Sequence, residues 1–303
     1  MSAEWIAISN ALAEATEKAG THVVAIHTEA RGSSSGVIWR SGVIVTAEHA
    51  LRRDEEIHVT LADGKVVAAK VIGRDPSTDV AVLACEEARS VATLGKTESL
   101  QPGNIALVVG RTRASGPVAA LAFVSLVVKE RRMWGGTSVV PYVRLDVALQ
   151  RTGVGGAVLD AGGQIVALAT PKFSPGGALA LPVNVVNRVA DALLEKGRIS
   201  RGYLGVGLQP IRLPENLRQV LNRKEKTAAI VLEVQPEGPA HKAGVVIGDI
   251  LIGLNGAAVQ RLEDVQAHLH GEEIGKTVKA EFLRGGERHD LGIVIAERPN
   301  SGE

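Results

Sequence analysis

Apolar and polar positions change rhythm several times along this chain. Over residues 3–18, Trp5, Ile6, Leu12 and Ala15 fall mostly on one helical stripe, and Gly20 supplies a stop. From 22 to about 183 the apolar residues come instead in short β-branched runs. Val23-Val-Ala-Ile26, Val43-Ile-Val-Thr46 and Ile57-His-Val-Thr-Leu61 are typical, and turn signals such as Ala62-Asp-Gly-Lys65 separate them. A second set follows Pro102-Gly103 and includes 105–109, 118–128, 139–145, 157–159, 165–168 and 178–181. Two successive sets of about six strands predict two barrels, each closed so that no strand edge is left bare. Residues 184–197 then read as an amphipathic helix with Val185, Val189, Ala192 and Leu193 inward. Asn184 is placed to cap it and Gly197 to end it. After a short linker at 198–201 the texture resets to an α+β unit. Its predicted parts are a strand at 228–234, a short helix after Pro236-Glu-Gly-Pro239 and an apolar segment at 249–255. A helix at 262–269 follows, and a hairpin at 278–295 turns at Gly285-Gly286.

Composition narrows this picture. A chain of 303 residues has room for about two domains. Aromatic residues make up only 3%, so the cores are built from Val, Leu, Ile and Ala. A net charge of +1 gives no pull toward nucleic acid or anionic membranes. The basic segment Lys129-Glu-Arg-Arg132 reads as a solvated loop. Cys85 is the only cysteine, which excludes an intramolecular disulfide, and its apolar setting makes it a small core residue. No apolar run is long enough to span a membrane. If Met1 is the natural start, the absence of a leader pattern points to the cytoplasm. No cofactor motif is present. His268 and His270 lack a carboxylate partner at ligand spacing, so no metal site is expected.

Three segments carry the chemistry. Val45-Thr-Ala-Glu-His-Ala50 offers His49, and Asp75-Pro-Ser-Thr-Asp-Val-Ala-Val-Leu83 offers Asp79. Further on, Thr152-Gly-Val-Gly-Gly156 is a glycine-rich turn. A His that takes a proton, an Asp that orients it and a nucleophile in a tight turn form a Ser-His-Asp triad, here in chymotrypsin-like chain order. The nucleophile position holds Val154, which has no atom that can attack a carbonyl. Ser125, Ser138 and Ser174 are near in sequence, but none lies in a glycine-flanked turn. His49 and Asp79 have a rival reading as a buried, mutually satisfied pair that only stabilises the fold.

These segments resemble the HtrA/DegP family, a chymotrypsin-like serine protease domain followed by a PDZ domain, from about residue 20 to 297. Ser34-Ser-Gly-Val-Ile38 looks like the family's Gly-Ser-Gly-Val-Ile start. Arg201-Gly-Tyr-Leu-Gly-Val206 looks like its junction, and residues 238–256 look like its PDZ signature. The resemblance implies a mainly β fold: a helical segment at 1–20, a double β-barrel at 21–197 and an α+β PDZ domain at 202–297. It implies catalytic positions at His49, Asp79 and Val154, with oxyanion-hole positions at Thr152 and Gly153. The family turn is Gly-Asn-Ser-Gly-Gly, so both the serine and the first glycine are replaced. It further implies a groove for peptide C-termini, with a carboxylate loop at Tyr203, Leu204, Gly205 and Val206 and a far wall at Val265 and Leu269. The expected activity is therefore non-proteolytic binding of unfolded chains or protein C-termini, with assembly as a homotrimer as a further expectation. The alternatives are a serine endopeptidase in protein quality control, or a regulatory subunit of an active homologue.

Overall fold

The computed structural model describes residues 3–28, 32–51, 57–114, 116–128, 131–132, 138–139, 141–172, 177–199, 202–220, 223–269 and 273–297. Lys129 and Glu130 of the basic segment, Ser174, Arg201 and His270 lie outside these residues. The chain divides into two compact units, 1–129 with 140–199, and 130–139 with 200–303.

The first unit contains two closed six-stranded antiparallel barrels, as the two sets of apolar runs predict. Around the first barrel the order is Val23–Thr28, Gly32–Arg40, Val43–Ala47, Val80–Ala84, Val66–Asp75 and Ile57–Thr60. Around the second it is Tyr142–Leu145, Ala178–Pro182, Ile165–Thr170, Ala157–Leu159, Ile105–Thr112 and Gly116–Val128. Each interior is a small aliphatic core. Val24, Ile26, Ile44, Val59 and Leu83 fill the first, and Ala106, Val108, Val124, Val143 and Val166 fill the second. The alternate residues are buried as well. Val23, Val45 and Val82 from one barrel meet Val109, Leu159 and Leu168 from the other in a third core. Strands covered on both faces explain why these runs are continuously apolar rather than alternating.

The helix Val183–Lys196 closes that shared core with Val186, Val189, Ala190 and Leu193. Gly197 adopts φ 69° and returns its N–H to the Leu193 carbonyl, as a left-handed C-terminal cap does. The expected cap at Asn184 is corrected. The helix starts one residue earlier, after Pro182, and the Asn184 side chain instead accepts from the Val185 N–H. The N-terminal helix spans Ala3–Gly20. Leu12 and Ala15 pack on the shared core, but Trp5 is 68% exposed and Ile6 is also exposed, so the predicted stripe is only half used. The run expected at 139–145 is strand over Ser138–Val139 and again over Tyr142–Leu145.

The second unit contains a twisted antiparallel sheet in the order Val206–Arg212, Thr227–Val234, Ile250–Leu254, Thr277–Arg284 and Glu287–Val294. Val206–Arg212 is an edge strand that the sequence reading missed, as it missed the helix Glu215–Val220. The helix expected at 262–269 is α-helical only over Leu262–Gln266. Beyond it the backbone tightens into turns, with the N–H groups of His268 and Leu269 bonded to Val265 and Gln266, three residues back. No helix among the described residues is long and apolar enough to cross a membrane.

Candidate functional site

His49 lies in a single 3-10 turn, Glu48–Ala50, directly after the strand Val43–Ala47. Asp79 is delivered by a stapled turn. Asp75 accepts hydrogen bonds from the Ser77 N–H, the Ser77 hydroxyl and the Thr78 hydroxyl, which curls the chain back on itself. At the end of that turn Asp79 adopts φ 60°, an uncommon angle that a short polar side chain tolerates. The Asp79 carboxylate then receives the His49 N–H at 2.9 Å and the His49 Nδ1 at 2.7 and 2.9 Å. It also accepts from the Thr170 hydroxyl, and Lys172 Nζ lies 3.6 Å away. Asp79 is fully buried, while the His49 side chain is 32% exposed. Burial opposes ionisation of Asp79, but the hydrogen bonds from His49 and Thr170 outweigh it and hold its carboxyl below the ordinary value. Glu48 adds a charge on the outside of the pair, 3.4 Å from Lys172 and 3.8 Å from Arg74.

Residues 151–156 hold the second group of candidate residues. Arg151–Gly153 is one turn of 3-10 helix that ends at Val154, which is buried. The Gly153 N–H, expected at an oxyanion hole, is bonded to the Gln150 carbonyl, and the N–H of Val154, the amide of the nucleophile position itself and the other donor such a hole would use, is bonded to the Arg151 carbonyl. The turn is fastened by three hydrogen bonds to two neighbouring strands. Ser35 Oγ donates to the Thr152 carbonyl at 2.6 Å, the Ser35 N–H donates to the Val154 carbonyl at 2.8 Å, and the Gly155 N–H donates to the Ala169 carbonyl at 2.8 Å. Gly155 adopts φ 73°, and a Cβ there would stand 2.3 Å from the Ser35 carbonyl oxygen and 2.5 Å from Thr46 Oγ1. A Cβ on Gly110 would overlap the Thr152 carbonyl oxygen at 1.8 Å. Only glycine fits at either position. Thr152 itself keeps a negative φ, so the closed turn asks nothing of it that a β-branched residue refuses.

The structure thus brings His49 and Asp79 together, and gathers Thr152, Gly153 and Val154 into one fastened turn. Three participants were invisible in the sequence. Thr170 and Lys172 carried no motif, and Ser35 was quoted only as part of a glycine-containing start. Ser125 donates to the Arg144 carbonyl from an exposed strand position, far in role from a tight turn. Cys85 is buried and its thiol is pushed up by burial, the opposite of an activated nucleophile. Among the described residues no group of His, Cys, Asp and Glu is arranged to hold a metal ion.

In the second unit, Leu204 and Val265 are buried in one cluster, with Val206 and Leu269 packed against it and partly exposed. Gly205 has φ 78°, and the Leu204 and Gly205 carbonyls accept from Ala240 and Gln235, which pins the loop. Tyr203 donates its hydroxyl to Gln235. Edge strand Val206–Arg212 begins directly after this loop.

Fold and site together define a trypsin-like peptidase fold followed by a PDZ domain. A family model described as Trypsin-like peptidase domain matches residues 34–168, and one described as PDZ domain matches 202–295. The chain is a homologue of the DegP/HtrA proteins. A probable periplasmic serine endoprotease, DegP-like, from Pseudomonas putida (strain GB-1) is 30% identical over 279 residues, covering 90% of this chain and 57% of that protein. A protein of the same description from Brucella suis biovar 1 (strain 1330) is 30% identical over 275 residues, covering 88% and 53%. The chain therefore spans little more than half the length of the curated relatives it matches. Among solved structures, the HtrA-type protease AlgW with a tripeptide superposes with a TM-score of 0.72 at 26% identity, covering 95% of this chain and 97% of that one. The serine endoprotease from Yersinia pestis superposes at 0.74 with 24% identity, covering 95% and 98%.

Proposed function

We propose that this protein is a non-proteolytic member of the HtrA type that binds unfolded chains or exposed protein C-termini through its PDZ groove. The observation that carries this reading is Val154, at the nucleophile position of a turn whose Val154 N–H is already spent on the Arg151 carbonyl. Without a nucleophile, and with that amide unavailable to an oxyanion, acyl transfer from a peptide bond has no route. Peptide capture needs neither. An edge strand beside an apolar helix face is the arrangement that takes up an extended peptide by strand addition. Similarity to HtrA-type structures that hold a tripeptide or a decapeptide supports the same reading. Trimeric self-association, with exposed apolar residues of the N-terminal helix in the contact, is part of it. Relatives named periplasmic speak against the cytoplasmic expectation.

The test is a casein and fluorophosphonate assay on the protein as it stands. No turnover and no labelling are expected. Turnover that survives repurification and is abolished by His49→Ala would overturn the reading in favour of a serine-type endopeptidase.

A further inference from the structure

The second unit holds a pocket that peptide capture does not use. Its volume is about 150 Å³, and it lies at the strand Ile250–Leu254 and the turn that follows. The Ile252 side chain joins a small cluster with Leu213, Leu217 and Leu283, whereas Leu251 and Leu254 belong to the core beneath the proposed groove. The pocket is therefore on the face of the sheet turned away from that groove. Arg223 lines it with a guanidinium held at one corner, where Nη1 donates to the Ile252 carbonyl at 2.7 Å. Nε and Nη2 form the edge that makes two parallel hydrogen bonds to a carboxylate. Both are shielded from solvent and have no hydrogen-bond partner among the described residues. Glu225 Oε2 comes within 3.3 Å of Nε, but without the alignment of a hydrogen bond. A buried charged edge without acceptors is unfavourable, and a carboxylate set against it relieves that cost.

The rest of the lining sets the ligand class. Glu281 pairs across the strands with Gly253, and a Cβ on Gly253 would stand 3.0 Å from Glu281 Oε2. Glycine at 253 thus leaves room for that carboxylate. Glu281 is paired with Arg288 Nη2 at 2.8 Å and keeps lone pairs for a further donor. The charged lining residues are two arginines and two glutamates, so their charges cancel. A bare anion drawn to Arg223 also meets Glu225 and Glu281, and a bare cation meets both arginines. A molecule carrying both signs suits each of them. A cavity of about this size accommodates benzene, about six non-hydrogen atoms. Alanine has the same number, and Ala257 gives its methyl group an apolar wall. We propose that this pocket binds a small zwitterion of the α-amino-acid type, its carboxylate on the Nε–Nη2 edge of Arg223 and its ammonium beside Glu281. The site does not rest on the peptide groove.

The full chain, isotope-labelled on nitrogen, is titrated with L-alanine and followed by NMR. Saturable shifts are expected at the Gly253 and Gly256 amides and at the Arg223 Nε–H, with affinity on the order of millimolar. Alaninamide, N-acetylalanine and acetate each lack one of the two charges and should bind at least about tenfold more weakly. Arg223→Lys keeps the charge but loses the two-pronged edge, and should also cost about tenfold in affinity. Circular dichroism on each variant separates loss of the site from loss of fold. Ala257→Leu fills the pocket without touching a charge, and should abolish binding even if the Arg223 variant unfolds. No saturable shift with L-alanine would overturn the proposal, as would shifts confined to other surfaces. Acetate bound as tightly as alanine would overturn it too, by reducing the site to an anion hole. So would binding seen only in Glu225→Gln, because Glu225 would then close the Arg223 edge itself. Peptide binding, measured on the same samples, is expected to be unchanged, which keeps the two readings apart.

Discussion

At the scale of single residues, the proposed loss of proteolysis rests on Val154 for only half of its argument, and on the shape of the turn for the other half. In a trans peptide the carbonyl and the following N–H point in opposite directions. With the Arg151 carbonyl turned onto the Val154 N–H, the Thr152 N–H faces away from the point where an oxyanion forms. Turning that one peptide over brings both N–H groups to the same side, but it drives φ of residue 152 to positive values. Glycine accepts that change and threonine resists it. Val154→Ser alone is therefore expected to label weakly with a fluorophosphonate. Thr152→Gly with Val154→Ser should label about 10²–10³ times faster, the value of one oxyanion donor. Equal rates for the single and double variants would show that Thr152 does not hold the turn shut. Asp79 makes a second prediction. Its carboxyl is held below the ordinary value in the folded protein, so its contribution to stability is complete above the unfolded pKa of 3.8 and is lost as the pH falls through the folded value. Acid unfolding curves should fall more steeply below about pH 4 for the wild type than for Asp79→Asn.

At the scale of elements, the proposed peptide groove lies between an edge strand and a short helix. Leu204, read from the sequence as part of the carboxylate loop, and Val265, read as part of the far wall, have their side chains buried in the domain core. Val206 and Leu269 are the apolar side chains left with exposed surface. A peptide ending in Val, Leu or Ala is expected to bind with affinity on the order of micromolar, since strand ordering offsets much of the contact. Amidating its C-terminus should weaken binding, and Leu269→Glu should weaken it further by placing a carboxylate beside the ligand's own. Titration of labelled peptides by fluorescence anisotropy decides this; binding indifferent to amidation would rule out a carboxylate-binding loop. The helix was drawn too long in the sequence because Val265 and Leu269 sit four apart. That spacing does not reveal that the last turns tighten and that the Leu269 carbonyl is taken by the Gly202 N–H.

At the scale of the whole molecule, apolar surface remains on the first unit. Ile105 pairs with Phe123 and Leu107 with Leu121, so all four side chains share one outer face of the second barrel. Leu107 is covered in the core that Leu12 and Ala15 join, while Phe123 and Leu121 stay about half exposed, as do Ile6 and Ile8 of the N-terminal helix. Sedimentation velocity is expected to give the mass of three copies, and Phe123→Asp with Trp5→Asp to shift it toward one; a monomer at all concentrations would exclude the assembly. The two barrels and the appended α+β unit were legible in the sequence because strand periodicity and turn residues act over a few positions. So was the lack of any nucleophilic atom on Val154, since valine's chemistry is the same in any fold. The stapled turn before Asp79 is just as local, being written in Asp75-Pro-Ser-Thr-Asp79. What closes the site is not local. Thr170 reaches Asp79 across 91 positions and Ser35 reaches the Thr152 carbonyl across 117, and neither residue differs in pattern from its neighbours. Hydrogen bonds between segments so far apart exist only once the barrels have closed. The sequence alone determined which atoms are present, and the tertiary structure decided which N–H groups are already taken.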